Sequence, residues 1–328
     1  MKILYIHRKK GLGFSFEQLF KSIQSQISKE HEVINYFQNP KLSIFQEAKK
    51  INKIEANIIH ITGGYGIISL FLKNKNRTIL TVHDLNHLIY DLKGLKKWGY
   101  KLIYFSIPFK NVTRVTTVSS YSKNNILKNF KIRSKKINVV YNCYPPIFKY
   151  SPKDFNSIKP IILHIGTKPN KNLEKTAEAI SNIKCKLVVI GKLSHKQKNA
   201  LNKLKIDYDN KINLTTEEIF NEYKKCDVVS FVSLREGFGL PIIEANAIGR
   251  VVLTSNITSM PEVASNSAHI INPENVEDIE EGFKKIISDE NYRNTLIKNG
   301  LENAKLFSPQ KIAEDYLDIY REIISSNG

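Results

Sequence analysis

Short runs rich in Ile, Val and Leu recur along the chain, alternating with longer stretches in which apolar residues return every three or four positions. The first pattern is that of strands buried on both faces and the second that of amphipathic helices. Their alternation predicts parallel sheets covered by helices. In the first half, strands are expected at residues 2–7, 32–37, 56–62, 77–84, 114–119 and 137–142. In the second half they are expected at 161–166, 186–191, 211–214, 228–232, 251–254 and 268–271. Between the first two strands, Phe16, Leu19, Phe20, Ile23 and Ile27 share one helical face. Ser119 and Ser120 are suited to cap a helix. Thr215 and Glu218 form a capping box before a helix ending near Lys225, and a further helix opens on Pro241 and stops at Gly249. The expected fold is α/β, with two doubly wound domains. Their joint falls around residues 144–157, where Pro145, Pro146 and Pro152 interrupt the periodicity.

Composition narrows the class. With 328 residues, 41% of them hydrophobic, the chain can build two cores of about 150 residues each without disulfides or structural metal. No apolar run approaches the roughly 18 to 20 residues that a membrane-spanning helix needs. The apolar run at 3–6 is short for a signal peptide and leads into Arg8, Lys9 and Lys10, so no leader is expected. Cys143, Cys185 and Cys226 show neither CxxC nor Cys/His spacing, which argues against a disulfide framework or zinc site and for a reducing, cytoplasmic setting.

Charge changes the picture more. Residues 1–150 hold 26 Lys and Arg against 7 Asp and Glu, a net +19, whereas residues 151–328 hold 24 of each sign and are neutral. A step of this size supports two units with different partners, the first meeting something anionic. Within the basic half, residues 91–111 interleave Lys93, Lys96, Lys97, Lys101 and Lys110 with Leu92, Leu95, Trp98, Tyr100, Ile103, Tyr104, Phe105 and Phe109. That mixture suits anionic lipid, and equally a partly buried helix whose aromatics are core.

Open α/β sheets bind ligands beyond the carboxyl ends of their strands, which directs attention to the loop after the strand at 228–232. There the sequence runs Arg235-Glu236-Gly237-Phe238-Gly239-Leu240-Pro241-Ile242-Ile243-Glu244. A Gly-x-Gly turn lets backbone approach a ligand closely, and the helix start behind it offers N–H groups to an anion. Glu236 and Glu244 bracket the turn, and carboxylates accept hydrogen bonds from sugar hydroxyls.

The run EGFGLPIIEA, with seven residues between its glutamates, resembles the E-x7-E signature of the family 4 retaining glycosyltransferases of GT-B fold. The resemblance extends through RTILTVHDL, VTTVSSYSKNNILKNFKIRSKKINVVYN, LHIGTKPNKNLEKTAEAI, VVLTSNITSMPEVASNSAHIINPENVEDI and FSPQKIAEDYLDIYREI, and so covers most of the chain. It implies two Rossmann-like domains with a cleft between them. Residues 1–148 would form the acceptor-binding domain, 149–307 the nucleotide-sugar-binding domain, and 308–328 a helix returning to the first.

Carried onto this sequence, the resemblance implies that Glu236 receives hydrogen bonds from the donor sugar. The N–H groups of Gly237, Phe238 and Gly239 would hold sugar and diphosphate, Leu240 would add a backbone contact, and Glu244 would bind the ribose. Lys171 matches the phosphate-neutralising lysine, and His83 matches the histidine near the reacting centre and acceptor. Gly11 and Gly13 would let the first loop face the diphosphate. The sequence departs from the family after Gly166, where Thr167 stands in place of a common arginine and Lys168 is its candidate substitute; Asn213 also replaces a frequent glycine. The implied reaction is retaining transfer of a hexose from a nucleotide-diphosphate sugar to a hydroxyl of a lipid-linked or cell-surface glycan. No DxD motif or His/Asp cluster is placed to hold a divalent ion at the diphosphate, so neither metal nor other cofactor is expected. An anionic membrane surface is a candidate partner, with peripheral attachment at the inner leaflet. Nucleic acid is not expected, since no nucleic-acid motif accompanies the charge. Two readings stay open beside this one: a non-hydrolysing nucleotide-sugar epimerase, and a basic module binding nucleic acid or an anionic surface.

Overall fold

A computed structural model describes residues 1–9 and 14–326. The first six strands are β1 (Lys2–His7), β2 (Glu32–Phe37), β3 (Ile58–Ile61), β4 (Thr78–Val82), β5 (Arg114–Thr117) and β6 (Ile137–Val139). The second six are β7 (Ile161–Ile165), β8 (Lys186–Ile190), β9 (Tyr208–Lys211), β10 (Val228–Phe231), β11 (Val251–Ser255) and β12 (Ala268–Ile271). The chain forms two compact units, one of Met1–Cys143 with Pro309–Gly328, the other of Tyr144–Ser308. The joints thus lie after residues 143 and 308, against expected positions after 148 and 307.

In the first unit the strands form one parallel sheet in the order β2-β1-β3-β4-β5-β6. Alternation along β1 sends Ile3 and Tyr5 to one face and Leu4 and Ile6 to the other. On the first face they meet Leu19, Phe20, Ile23 and Ile27 of the helix Phe14–Ile27, together with Ile312, Tyr316 and Tyr320 of the helix Pro309–Ser325. This packing ties the C-terminal helix to the N-terminal sheet. The order reverses between β1 and β3, so the loops after those strands diverge and leave a crevice at their carboxyl ends.

The second unit repeats the plan in the order β12-β11-β10-β7-β8-β9, also all parallel, with the reversal between β7 and β10. Thr215 caps the helix Thr216–Lys225 in a reciprocal box with Glu218, and Gly249 ends the helix Leu240–Ile248 in the left-handed conformation at φ 82°. One strand is displaced from its expected place. Residues 211–214 were the apolar choice, but β9 is Tyr208–Lys211. It is an edge strand that pairs only with β8, and its four side chains are half-buried, so Asp209 and Asn210 are tolerated there. Ile212 lies beyond it, 51% exposed.

Candidate functional site

The reversal between β7 and β10 brings together the loops that follow those two strands. Gly166 ends β7 at φ +95°, and a methyl group placed on it would meet Lys171 Cγ at 2.9 Å. Glycine is required there because the Lys171 side chain lies across it. From that position Lys171 Nζ pairs with Glu236 Oε1 at 2.6 Å, in the loop after β10, and stands 4.8 Å from the centre of the Phe231 ring. Both partners are largely sheltered, 19% and 17% exposed at the side chain, so solvent screens the pair less than a surface ion pair.

Asn170 fastens the two loops. Its amide donates to the Arg235 carbonyl at 3.1 Å and to Glu236 Oε1 at 3.2 Å, while its own carbonyl accepts from Leu234 N at 2.8 Å. Behind the glutamate, Glu236 N donates to Thr258 Oγ1 at 3.3 Å, and Ser259 Oγ donates to the carbonyls of Glu236 and Phe238 at 3.2 and 2.5 Å. Asn170, Thr258 and Ser259 were not singled out from sequence. Their stretches belong to the quoted motifs, but only the folded loops reveal which side chains do the bracing.

Gly237, Phe238 and Gly239 are buried in the turn that leads to the helix Leu240–Ile248. Gly239 sits at φ +146°, where a methyl group would come within 3.0 Å of Ile242 Cδ1. The N-cap residue is Gly239, which has no side chain to cap this helix, and Pro241 has no N–H to satisfy. The first turn therefore offers its positive end as a place where an anion would be favoured. Leu240, half-buried, is its first residue. Glu244 lies within the same helix, half-buried, and accepts a 2.6 Å hydrogen bond from the hydroxyl of the fully buried Tyr223. Desolvation raises its pKa from the ordinary carboxylate value to about 7, against the opposing pull of the Tyr223 bond and the Lys171 charge.

The remaining expected residues divide. Thr167 follows Gly166, but its hydroxyl donates to the Lys192 carbonyl at 2.8 Å and its carbonyl accepts from Gln197 Nε2 at 2.9 Å. Lys168 is exposed. Asn213 adopts φ 56°, a left-handed conformation that glycine takes most readily and asparagine tolerates. Gly11 and Gly13 lie outside the described residues. Among the described residues no group of three or more His, Cys, Asp or Glu is placed to hold a metal ion.

In the first unit a pocket of about 160 Å³ opens at the reversal between β1 and β3, lined by His7, Arg8, Thr62, Gly63, His83 and Asp84. His83 Nε2 lies 2.9 Å from the Thr62 carbonyl. A carbonyl only accepts, so Nε2 carries the proton and Nδ1 is the basic nitrogen of the neutral ring. Burial lowers the His83 pKa to about 4; the Thr62 bond opposes this and the Arg8 charge adds to it. Tyr100 and Tyr104, whose rings stack at 4.3 Å, line the same pocket.

Those tyrosines belong to the basic aromatic segment, which is helical over Gly94–Lys101 and continues through the wider turn Leu102–Ser106 to the helix Ile107–Asn111. Phe105 and Phe109 are core. Leu95 and Trp98 are 89% and 66% exposed, and Leu102, Ile103 and Tyr104 are exposed beside them. The segment is therefore both things that its composition allowed, core along one side and an uncovered apolar surface along the other.

Residues 150–303 match the family described as glycosyl transferases group 1, and residues 22–146 match glycosyltransferase family 4. The two matches adjoin near the observed joint, and between them they cover every strand but β1. The chain belongs to the family 4 glycosyltransferases of GT-B fold. It is 29% identical over 275 residues to an uncharacterized glycosyltransferase, MJ1178, of Methanocaldococcus jannaschii, covering 80% of this chain and 74% of that one. It is 28% identical over 223 residues to the O-antigen chain mannosyltransferase RfbU of Salmonella typhimurium, covering 65% of this chain and 61% of RfbU. Among solved structures, Anabaena Alr3699/HepE in complex with UDP-glucose has the same fold, with a TM-score of 0.80 at 14% identity over 99% of this chain and 100% of that one. As a glycosyltransferase, the chain joins the Lys171–Glu236 pair and the Gly-Phe-Gly turn at the switch point of its second sheet.

Proposed function

We propose that this glycosyltransferase moves a hexose, with retention of anomeric configuration, from a nucleotide-diphosphate sugar to a hydroxyl of a lipid-linked or cell-surface glycan. The Lys171–Glu236 pair beside an uncapped helix start carries this reading, because it sets a sugar-hydroxyl acceptor next to the positive charge that a diphosphate needs. Glu236 and the N–H groups of Gly237, Phe238 and Gly239 position the sugar and diphosphate, and Glu244 takes the ribose. In transfer, the bond between the anomeric carbon and the phosphate oxygen breaks as the bond to the acceptor oxygen forms on the same face. The acceptor proton passes to the departing phosphate oxygen. Lys171 and the helix start stabilise the charge that develops on the diphosphate, so the reading requires no metal. His83 serves the acceptor side. Similarity to an O-antigen mannosyltransferase favours GDP-mannose as donor, and the UDP-glucose complex of the structural neighbour keeps UDP-hexoses beside it.

The uncovered apolar residues among lysines fit peripheral attachment to an anionic inner leaflet, where a lipid-linked acceptor would be found. Among the described residues no helix is long and apolar enough to cross a membrane.

The test is a thermal-shift and calorimetric screen of UDP, GDP, ADP and their hexose conjugates, with and without EDTA, on the wild type and Glu244→Ala. Selective stabilisation by one nucleotide, indifferent to EDTA and lost in the variant, is expected. No stabilisation by any nucleotide would overturn the donor assignment. Donor incubated without acceptor separates transfer from epimerisation, which needs no acceptor.

A further inference from the structure

The charge of the first unit is concentrated. Between Asp91 and Asp154 the sequence has fourteen Lys and Arg residues and no carboxylate. The fold gathers many of them around one groove of about 890 Å³, lined by Lys101, Lys110, Lys128, Lys131, Arg133 and Lys136 over a floor that includes Phe109 and Phe130. Lys136 and Arg133 also line an adjoining recess with Arg114 and Lys135. Neither lining includes an acidic side chain, and among the described residues none of these cations takes part in an ion pair. Like charges crowded into a concavity repel one another, and an anion relieves that repulsion. The half-buried Lys136 shows the strain, since burial and the Arg114 charge both depress its pKa.

The surroundings select the anion. Lys101 lines the groove with its ammonium 5.1 Å from the centre of the Phe130 ring, and it ends the helix Gly94–Lys101 that carries exposed Leu95 and Trp98. The next turn, Leu102–Ser106, carries exposed Ile103 and contributes Ser106 to the groove. Cations facing a concavity beside uncovered aliphatic and indole side chains match a bilayer surface, with phosphate groups above and acyl chains below. A polynucleotide would satisfy the cations and leave Leu95 and Ile103 in water.

We infer that the groove between Lys101–Lys110 and Lys128–Lys136 is a binding site for the phosphate of an anionic phospholipid headgroup, seated beside an apolar ridge formed by Leu95, Trp98 and Ile103. The inference rests on the peripheral-membrane reading and gives it a specific contact, made largely by residues outside the 91–111 segment.

The test is co-sedimentation of the full chain with phosphatidylglycerol/phosphatidylcholine vesicles and with pure phosphatidylcholine vesicles, at low and raised salt. The groove variant is Lys128→Glu/Lys131→Glu/Arg133→Glu, all at exposed positions. Its charge-matched control is Lys49→Glu/Lys50→Glu/Lys53→Glu, also exposed and in the same unit. Retained nucleotide binding and melting temperature establish that each variant is folded. The wild type is expected to bind anionic vesicles in a salt-sensitive way, the groove variant about tenfold more weakly or worse, and the control within about threefold of the wild type. If groove and control variants weaken alike, net charge alone acts and the headgroup site is wrong. If the groove variant binds as the wild type does, the site falls and the membrane reading stands. If the wild type ignores anionic vesicles, both fall. The donor assignment depends on neither outcome.

Discussion

Both units place their candidate site at the same topological position, the crevice where strand order reverses, yet they furnish it with opposite materials. In the second unit the crevice holds an ion pair, Lys171–Glu236, braced by Asn170, Thr258 and Ser259 and backed by a helix start. In the first it holds a half-buried neutral histidine in a pocket that stacked tyrosines also line. A diphosphate requires fixed positive charge and backbone donors, whereas a glycan acceptor requires shape and a few polar contacts. Symmetry of fold therefore accompanies asymmetry of chemistry. The overall charge runs the other way, since the half rich in cations is not the half that carries the Lys171–Glu236 pair.

The largest expected effect separates the two crevices by function. Glu236→Ala should lower kcat by about a hundredfold or more, because it removes an acceptor of sugar hydrogen bonds and leaves Lys171 without its partner. Lys171→Ala should fall comparably. In both variants, binding of the bare nucleoside through Glu244 should persist. Full transferase activity in Glu236→Ala would reject the roles assigned to the ion pair.

The next effect tests whether the second unit's crevice titrates near neutrality. Glu244 has a folded-state pKa of about 7 against an ordinary carboxylate value of 4.5, so between those limits the folded protein holds a proton that the unfolded chain releases. Its contribution is fully present below about pH 4.5 and is lost as pH rises through 7, with a span on the order of 3 kcal/mol. Denaturation curves of the wild type should show this fall and those of Glu244→Gln should not. Nucleotide affinity should move oppositely, rising through pH 7 as the carboxylate ionises to receive ribose hydroxyls. Parallel slopes for the wild type and Glu244→Gln would show that Glu244 is not the titrating group.

The first unit's crevice should be silent over the same range. With its pKa lowered to about 4, His83 is neutral at any pH above about 5, so it adds no limb to the pH–rate profile there. His83→Ala should reduce acceptor-dependent turnover by about tenfold, the scale of one buried polar contact, with nucleotide affinity unchanged. A loss of nucleotide affinity instead would move His83 to the donor side.

How much of this was legible follows the same division. The second unit's crevice is made of short loops with fixed backbone demands, and such demands restrict residue choice: Gly166 must be glycine at φ +95° beneath Lys171, and Gly239 at φ +146° against Ile242. Those constraints write a motif. The bracing by Asn170 and Tyr223 was hidden, because each acts across more than twenty residues of chain to a partner that only folding identifies. The basic groove was hidden for a related reason. Its cations come from several elements, and the interleaving within 91–111 drew attention to one of them. The misplaced edge strand shows the limit of apolar periodicity, which reports burial and so misses Tyr208–Lys211, where one side of the strand has no neighbour.

Thr167 offers the finest division between a residue that shapes the donor loop and one that touches the donor. Its hydroxyl donates to Lys192, while the loop is otherwise held by backbone bonds, Gly166 N to the Ile190 carbonyl at 2.8 Å and Gln197 Nε2 to the Thr167 carbonyl at 2.9 Å. Thr167→Val removes only the first of these. It should cost about 1 kcal/mol of stability, the net value of one hydrogen bond, and leave nucleotide affinity within about twofold of the wild type. Calorimetric titration of the variant with the selected nucleotide decides between the two roles. A tenfold loss of affinity with unchanged stability would mean that the hydroxyl leaves Lys192 for the phosphate when the donor arrives. The position would then contact the donor through its side chain, where the family more often has an arginine.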